Sequence, residues 1–269
     1  LFLVATALIV TSFMRVVRAD LGFDRHGLTT FSYKKSIDTV PQRDRPAETG
    51  ALRAALLERL ESIPGIGGVA FSSEAAGIPL ATGYTRYSLV IPGFGETSRD
   101  DGLDTAFVTP NYFDVLGMTL LRGRLFQTSD NAAAPKVMVI NDVAARRFFR
   151  GRDPVGAVVS FESFATTVVG VVRALHRYGP EADPRQAMYL PIAQQPPFFF
   201  RSPDALGAVM IRETAAAPRL DDPISEAAHA VLGDASIVLM RPIDDTFRGM
   251  TSARRFNTDV MAIFGLLAV

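Results

Sequence analysis

The chain of 269 residues contains no cysteine, no tryptophan and only three histidines. Without cysteine there is no disulfide, no thiol nucleophile and no cysteine-ligated zinc, although the compartment stays open. Without tryptophan, no indole anchor marks a membrane surface. Lys plus Arg and Asp plus Glu are both 28, so the formal net charge is zero. No basic stripe stands out, which argues against a nucleic-acid binder. His26, His176 and His229 are far apart and form no H-x-x-x-H or H-E-x-x-H pattern, so no metal site is expected. His176 reads as a surface residue beside Arg173, Arg177 and Tyr178. No G-x-x-x-x-G-K-[ST] loop occurs, so ATP is not expected to bind here. No uncharged apolar run reaches the roughly 20 residues that cross a bilayer.

What is present is an apolar segment at each end. Leu1 to Met14 carries no charge, and neither does Val260 to Val269. The chain does not begin with Met. The simplest reading is a piece of a longer membrane protein, with the end of one spanning helix, the start of another and the loop between them. A signal peptide fits the first segment less well, because no small-x-small site follows and Arg15 and Arg18 lie on its far side. Arg15, Arg18 and Arg25 flank one end of the loop, and Arg248, Arg254 and Arg255 the other. Read naively, these place the loop in the cytoplasm, but the positive-inside rule is weak for long loops.

Within the loop, Leu28 to Tyr33 alternates as a strand does. Glu48 to Ser62 carries Leu52, Leu56, Leu57 and Leu60 on one helical stripe, and Val69 to Ser72 reads as a strand. A second unit repeats this order, with a strand at Leu206–Ile211, a helix at Pro218–Leu232 and a strand at Ser236–Met240. Asp221, Asp222 and Glu226 crowd that helix start, where the dipole favours acids. The two units predict one split α+β domain of four strands and two helices, interrupted by an insertion.

The insertion carries strands at Tyr87–Ile91, Lys136–Ile140, Val155–Phe161, Thr166–Val172 and Gln186–Pro191. A short helix is expected over Pro110–Leu116 with Thr109 as cap, and another runs from the Asn141 cap to Phe149. Pro196-Pro197 and Phe198-Phe199-Phe200 form an apolar cluster, read as buried where the domains meet. The alternative is a partner-docking patch.

Several partial motifs fail on context. Gly65-Ile66-Gly67-Gly68-Val69-Ala70 fits a dinucleotide pattern, but it follows a helix and opens a strand, the reverse of what phosphate binding needs. Ser32-Tyr33-Lys34-Lys35 and Ser129-Asp130-Asn131 match two elements of serine acyl-transferring enzymes. Yet Ser32 falls in a strand and the K-T-G element is missing. Asp100, Asp101 and Asp104 lack the alternation of a calcium loop and read as a solvated acidic turn. Asp244-Asp245 reads as a turn after Pro242. No catalytic, cofactor-binding or metal-binding residue is assigned, and the chain does not read as an enzyme.

A run of specific words lies in the insertion. Val108-Thr109-Pro110-Asn111-Tyr112-Phe113 is followed by Leu116-Gly117-Met118, Leu121-Arg122-Gly123-Arg124-Leu125-Phe126 and Asp130. Then come Val139-Ile140-Asn141-Asp142, Ala145 to Phe149, Gly151, Asp153-Pro154-Val155-Gly156, Val168 to Val172 and Tyr189-Leu190-Pro191. Arg254-Arg255-Phe256-Asn257 precedes the last apolar segment. In this order the chain resembles the MacB-like periplasmic core domain of FtsX/MacB-type ABC transporter permeases, in the branch of duplicated orphan permeases. It departs from the family at Arg150, where Pro is frequent, and at Arg173-Ala174, where Gly-Asp is frequent.

The resemblance implies an α+β fold with a split βαβ-type (Porter-like) domain over 21–83 and 201–250. A mostly-β (Sabre-like) domain is inserted at 84–200, and truncated membrane helices lie at 1–20 and 251–269. It implies an extracytoplasmic loop on the cytoplasmic (inner) membrane that couples cytoplasmic ATP hydrolysis mechanically to export or extraction of a substrate. The coupling segments would be Arg15–Phe23 and Phe247–Asn257. Implied partners are a cytoplasmic ATP-binding subunit or domain, a second permease half, membrane lipid, and a periplasmic adaptor or outer-membrane protein where one exists. No cofactor is implied. The alternative is a ligand-sensing domain of a two-helix membrane receptor.

Overall fold

A computed structural model describes residue 11 and residues 19–73, 78–80, 85–98, 101–161, 164–202, 204–214 and 220–252. Most of the two expected membrane segments, 1–20 and 251–269, and Tyr84 at the expected boundary lie outside these residues. Among the described residues no helix is long and apolar enough to cross a membrane.

The first unit is β1 (Leu28–Ser36), α1 (Arg45–Glu61) and β2 (Ile66–Ser72). Pro46 occupies the first turn of α1, where its missing N–H costs nothing, so the helix starts earlier than the leucine stripe alone suggests. Leu56 and Leu60 are fully buried on that stripe. The Gly-rich segment after α1 opens β2, so the dinucleotide pattern has the wrong context here. The last unit is β12 (Asp204–Glu213), α4 (Asp221–Leu232) and β13 (Ser236–Pro242). These four strands lie in the order β13-β1-β12-β2, every neighbouring pair antiparallel. Helices α1 and α4 cover one face around Phe31, Tyr33, Val209 and Ile211.

Between these units run β3 (Arg86–Tyr87), β4 (Leu89–Ile91), β5 (Gly95–Glu96), β6 (Leu103–Val108), α2 (Tyr112–Leu116) and β7 (Leu120–Gly123). They are followed by β8 (Val137–Asn141), α3 (Asp142–Phe149), β9 (Val158–Phe161), β10 (Phe164–Val172) and β11 (Ala187–Pro191). The sheet passes from β2 to β6 and on through β11, β8, β10, β9, β4 and β5, so the described strands form one sheet. Asn141 caps α3 as its sequence implies, accepting from the Ala144 N–H at 2.9 Å. It also accepts from Ala187 N–H and donates to Arg185 C=O, which ties α3 to β11.

Four sequence expectations change. Residues 103–108 form a fully buried strand, and Asp104, 5% exposed, is no part of a solvated turn. Its charge is met by Arg86 Nε at 3.0 Å and the Tyr178 hydroxyl at 3.0 Å. Asp101 instead pairs with Arg147. Thr109 is not the cap of α2, which begins after Asn111. Asp244-Asp245 is not a turn: residues 243–252 are helical, with both acids in the first turn. His176 is half-buried, with Nδ1 3.1 Å from the Ala182 carbonyl.

The phenylalanine run forms a 3-10 turn with its rings half-buried. Phe199 packs on Phe107 and Tyr87 of the inserted strands. Arg45 at the start of α1 donates to the Arg201 and Ser202 carbonyls, so the run is held from both sides. Arg150 adopts φ 48°, a value that the proline ring forbids.

Candidate functional site

The segments expected to couple the loop to the membrane are described over residues 19–23 and 247–252, and these portions meet. The incoming segment crosses the junction of the two halves of the sheet. Its Leu21 and Phe23 are buried in one cluster with Tyr112, Phe113, Ile243 and Phe247. The outgoing helix contributes Ile243 and Phe247 to that cluster, so both segments share a single core.

Backbone hydrogen bonds fix the incoming segment on the inserted half. His176 N–H donates to Leu21 C=O at 2.9 Å, and Asp24 N–H to Leu116 C=O at 2.9 Å. The second bond uses an orphan carbonyl at the end of α2, which closes on Gly117 at φ 66°. Gly22, at φ 78°, lies so close to the 174–175 segment that a Cβ would sit 2.1 Å from the Ala174 carbonyl oxygen. Only glycine permits this approach. Asp20 accepts from Gly22 N–H and from Arg173, and its carboxyl is held below the usual range, first by the Gly22 N–H.

Arg25, His26 and Asp244 complete the seat. Arg25 Nε lies 2.9 Å from Asp244 Oδ1, with the two side chains 20% and 26% exposed. The N–H is not aimed at the oxygen, so this is an ion pair without a formed hydrogen bond. The same guanidinium stacks 4.0 Å over the Phe247 ring, which adds a cation–π attraction to the same helix. His26 Nδ1 reaches the other Asp244 oxygen at 3.2 Å.

Arg212 of β12 then locks the segment from beneath. Its Nη2 donates to Asp24 C=O at 2.8 Å and to Val115 C=O at 2.7 Å, its Nε to Val115 C=O at 2.9 Å, and its Nη1 to His26 C=O. Burial lowers the Arg212 pKa and nearby Asp24 opposes this; the group stays charged at neutral pH. The arrangement makes the incoming segment, the outgoing helix and the junction of the sheet into one packed unit.

The expected coupling segments, Arg15–Phe23 and Phe247–Asn257, therefore take in part of this seat. Residues Arg15 to Arg18 and 253–257 lie outside the described residues. The sequence reading missed Asp244 and Arg212. The signal for Asp244 was two acids after Pro242-Ile243, which is a helix start as much as a turn. Arg212 carried no signal, because its partners are backbone carbonyls distant in sequence.

The other motif residues are scattered. Ser32 in β1 donates to Val238 C=O. Asp130 accepts both terminal nitrogens of Arg124 beside β7, which pairs with β10. Strands β12, β2, β6, β11 and β8 lie between β1 and β10. Among the described residues no three His, Asp or Glu side chains are placed to hold a metal ion.

A family model for the MacB-like periplasmic core domain matches residues 1–228. The macrolide export ATP-binding/permease protein MacB of Neisseria gonorrhoeae is 36% identical over 66 residues, covering 24% of this chain and 10% of that protein. The protein of the same name from Agrobacterium fabrum is 36% identical over 77 residues, 28% and 12% of the two chains. The chain thus matches about a tenth of the length of these relatives. Among solved structures, the periplasmic region of MacB from Actinobacillus actinomycetemcomitans superposes with a TM-score of 0.58 at 18% identity. That match covers 87% of this chain and 97% of the other. A domain of a putative permease protein from Porphyromonas gingivalis gives 0.50 at 15% identity, over 82% and 94%. The fold, the shared words and the family match agree: this chain belongs to the family of MacB-like periplasmic core domains.

Proposed function

We propose that this chain is the extracytoplasmic part of an ABC transporter permease on the cytoplasmic membrane, passing motion of its membrane helices to the outer domain. Residues 21–83 with 201–250 form the membrane-proximal domain, and 84–200 the distal one. ATP hydrolysis belongs to a cytoplasmic subunit or domain, and a second permease half completes the transporter. A periplasmic adaptor or outer-membrane protein joins where the envelope has one. The chain itself carries out no catalytic step in this reading.

The observation that supports it is the shared seat of the tethers. The incoming segment and the outgoing helix are joined by Arg25, Asp244 and Phe247, and are packed against the strand junction. A displacement of either tether therefore displaces packed structure and is not lost in a slack loop.

The test uses the full-length permease with its ATPase in proteoliposomes. A spin label at Asp234→Cys stands at a solvated site, 94% exposed, with no native cysteine in these 269 residues and any elsewhere replaced by serine. Its distance to gadolinium-tagged lipid headgroups is read with and without trapped nucleotide. The label should move with nucleotide, and Arg25→Ala with Asp244→Ala should shrink that movement by about half or more while ATP hydrolysis stays within about twofold. A label indifferent to nucleotide sinks the proposal. One that moves only with a small ligand supports a sensor instead.

A further inference from the structure

Away from the tethers, an open groove of about 390 Å³ lies between α3, the turn that follows it and strands β7 and β10. Small-molecule sites commonly occupy about 300–1,000 Å³. Leu121, Ala145 and Val171 give it an apolar floor, and Arg122, Arg146 and Arg152 stand along it. Leu121 is 43% exposed, a large apolar side chain left facing solvent.

The three arginines are not equivalent. Arg146 is neutralised by Asp142 one turn earlier, at 2.6 Å. Among the described residues Arg122 has only a distant partner, Asp153 at 3.9 Å, with both side chains mostly exposed. Among the described residues Arg152 pairs with no carboxylate. Its Nη2 donates to Pro92 C=O at 3.2 Å and its Nε approaches Phe149 C=O at 3.5 Å.

The chain turns sharply to place it there. Arg150 and Gly151 both adopt left-handed backbone, φ 48° and 86°, and Arg152 N–H returns to Phe149 C=O at 2.9 Å. A non-glycine residue is strained in that region and is kept there only by its surroundings. The result is a guanidinium held by backbone carbonyls with its charge uncompensated, so less side-chain freedom remains to be lost on binding.

We propose that this groove binds a small amphipathic anion, with its apolar body on Leu121, Ala145 and Val171 and its carboxylate or sulfonate on Arg122 and Arg152. Inorganic ions would leave the floor uncovered, and a two-chain lipid exceeds the volume. The assignment does not depend on the coupling role.

The test is done on the full-length protein in neutral-lipid nanodiscs, without nucleotide. Anilinonaphthalenesulfonate is titrated by fluorescence, then displaced with decanoate or with uncharged decanol. Saturable binding that decanoate displaces and decanol does not is expected. Arg122→Ala with Arg152→Ala should weaken it by about tenfold or more, since two charge-assisted contacts are lost. Both side chains are exposed, so folding is not at stake; Arg122→Glu alone should act in the same direction. Arg147→Ala, on a residue paired with Asp101 and outside the groove, should change nothing. Equal affinity in the double variant, or equal displacement by decanol, would overturn the proposal. So would loss of the probe signal on changing to anionic lipid, which would assign the groove to the membrane surface.

Discussion

At Arg212 one guanidinium gathers the carbonyls of Asp24, His26 and Val115, from two stretches of chain nearly a hundred residues or more away in sequence. A planar fork with five donors can do this; an ammonium cannot, because its three donors radiate from one point. Arg212→Lys keeps the charge but leaves at least one of these carbonyls without its donor. It should lower stability by about 1–3 kcal/mol in urea denaturation. A wild-type midpoint would mean that charge alone holds the segment. Asp130 makes the opposite kind of point, since here the charge is what matters. Its carboxylate accepts two bonds from Arg124 and one from Gln127 N–H, and these hold its pKa below the usual carboxylate value, the Arg124 bonds most strongly. A folded-state pKa below the unfolded one gives stabilisation that is present above the unfolded value and lost as pH falls through the folded one. Stability should therefore drop below about pH 4, and Asp130→Asn should flatten that drop while lowering stability at neutral pH. Urea midpoints of both proteins across this range decide it; an unchanged acid limb would assign the drop to other groups.

The element that most shapes the fold is the hand-over from β2 to β6. The backbone ladder between them is a single pair, Ser72 with Val108. Beyond it the chain leaves for α2, and side chains take the place of backbone. Thr109 Oγ1 accepts from Phe71 N–H at 3.0 Å and donates to Asn111 Oδ1, while Asn111 Nδ2 donates to Val69 C=O at 2.8 Å. This gives a physical reason for the word Thr109-Pro110-Asn111, which the sequence suggested only as a helix start. Thr109→Val should cost about 1–2 kcal/mol and speed exchange of the Phe71 amide. Unchanged exchange there would show that packing and the Thr109 N–H to Phe71 C=O bond hold the strand end without the hydroxyl. Legibility follows the same logic. Helices α1, α3 and α4 declared themselves through apolar spacing and end signals, as did the strands of both outer units. Strand β6 did not, because Asp104 and Thr105 break its apolar run. Their burial is tolerable because the fold brings Arg86 and Tyr178 to Asp104, while Thr105 bonds the Leu103 carbonyl of its own strand. Strand β7 is exposed along its length and carries no inward pattern at all. The tether seat was legible as a location but not as a contact, because Arg25 and Asp244 are joined by packing and no local spacing pairs them.

Across the whole molecule, the two halves have separate cores but not separate fates. The helix-covered face of the outer units holds one cluster and the distal strands hold another. A third cluster unites Leu28, Ala70 and Met210 of the outer units with Phe113, Val139 and Tyr189 of the insertion, and with Phe23 and Phe247 of the tethers. Tyr112, Phe113 and Tyr189 sit ring against ring within it, at centroid distances of 5.3 to 5.8 Å. Neither half can unfold without opening this shared cluster and breaking the sheet at β2 and β6. The described parts should therefore unfold as one cooperative unit, with coincident transitions by far-UV circular dichroism and by tyrosine fluorescence. Phe113→Ala, at the centre of the shared cluster, should lower the single midpoint by about 3–5 kcal/mol without splitting it. Two resolved transitions in the wild-type protein would show that the halves are coupled too weakly to pass motion from tether to distal strands. The mechanical reading would lose its physical basis.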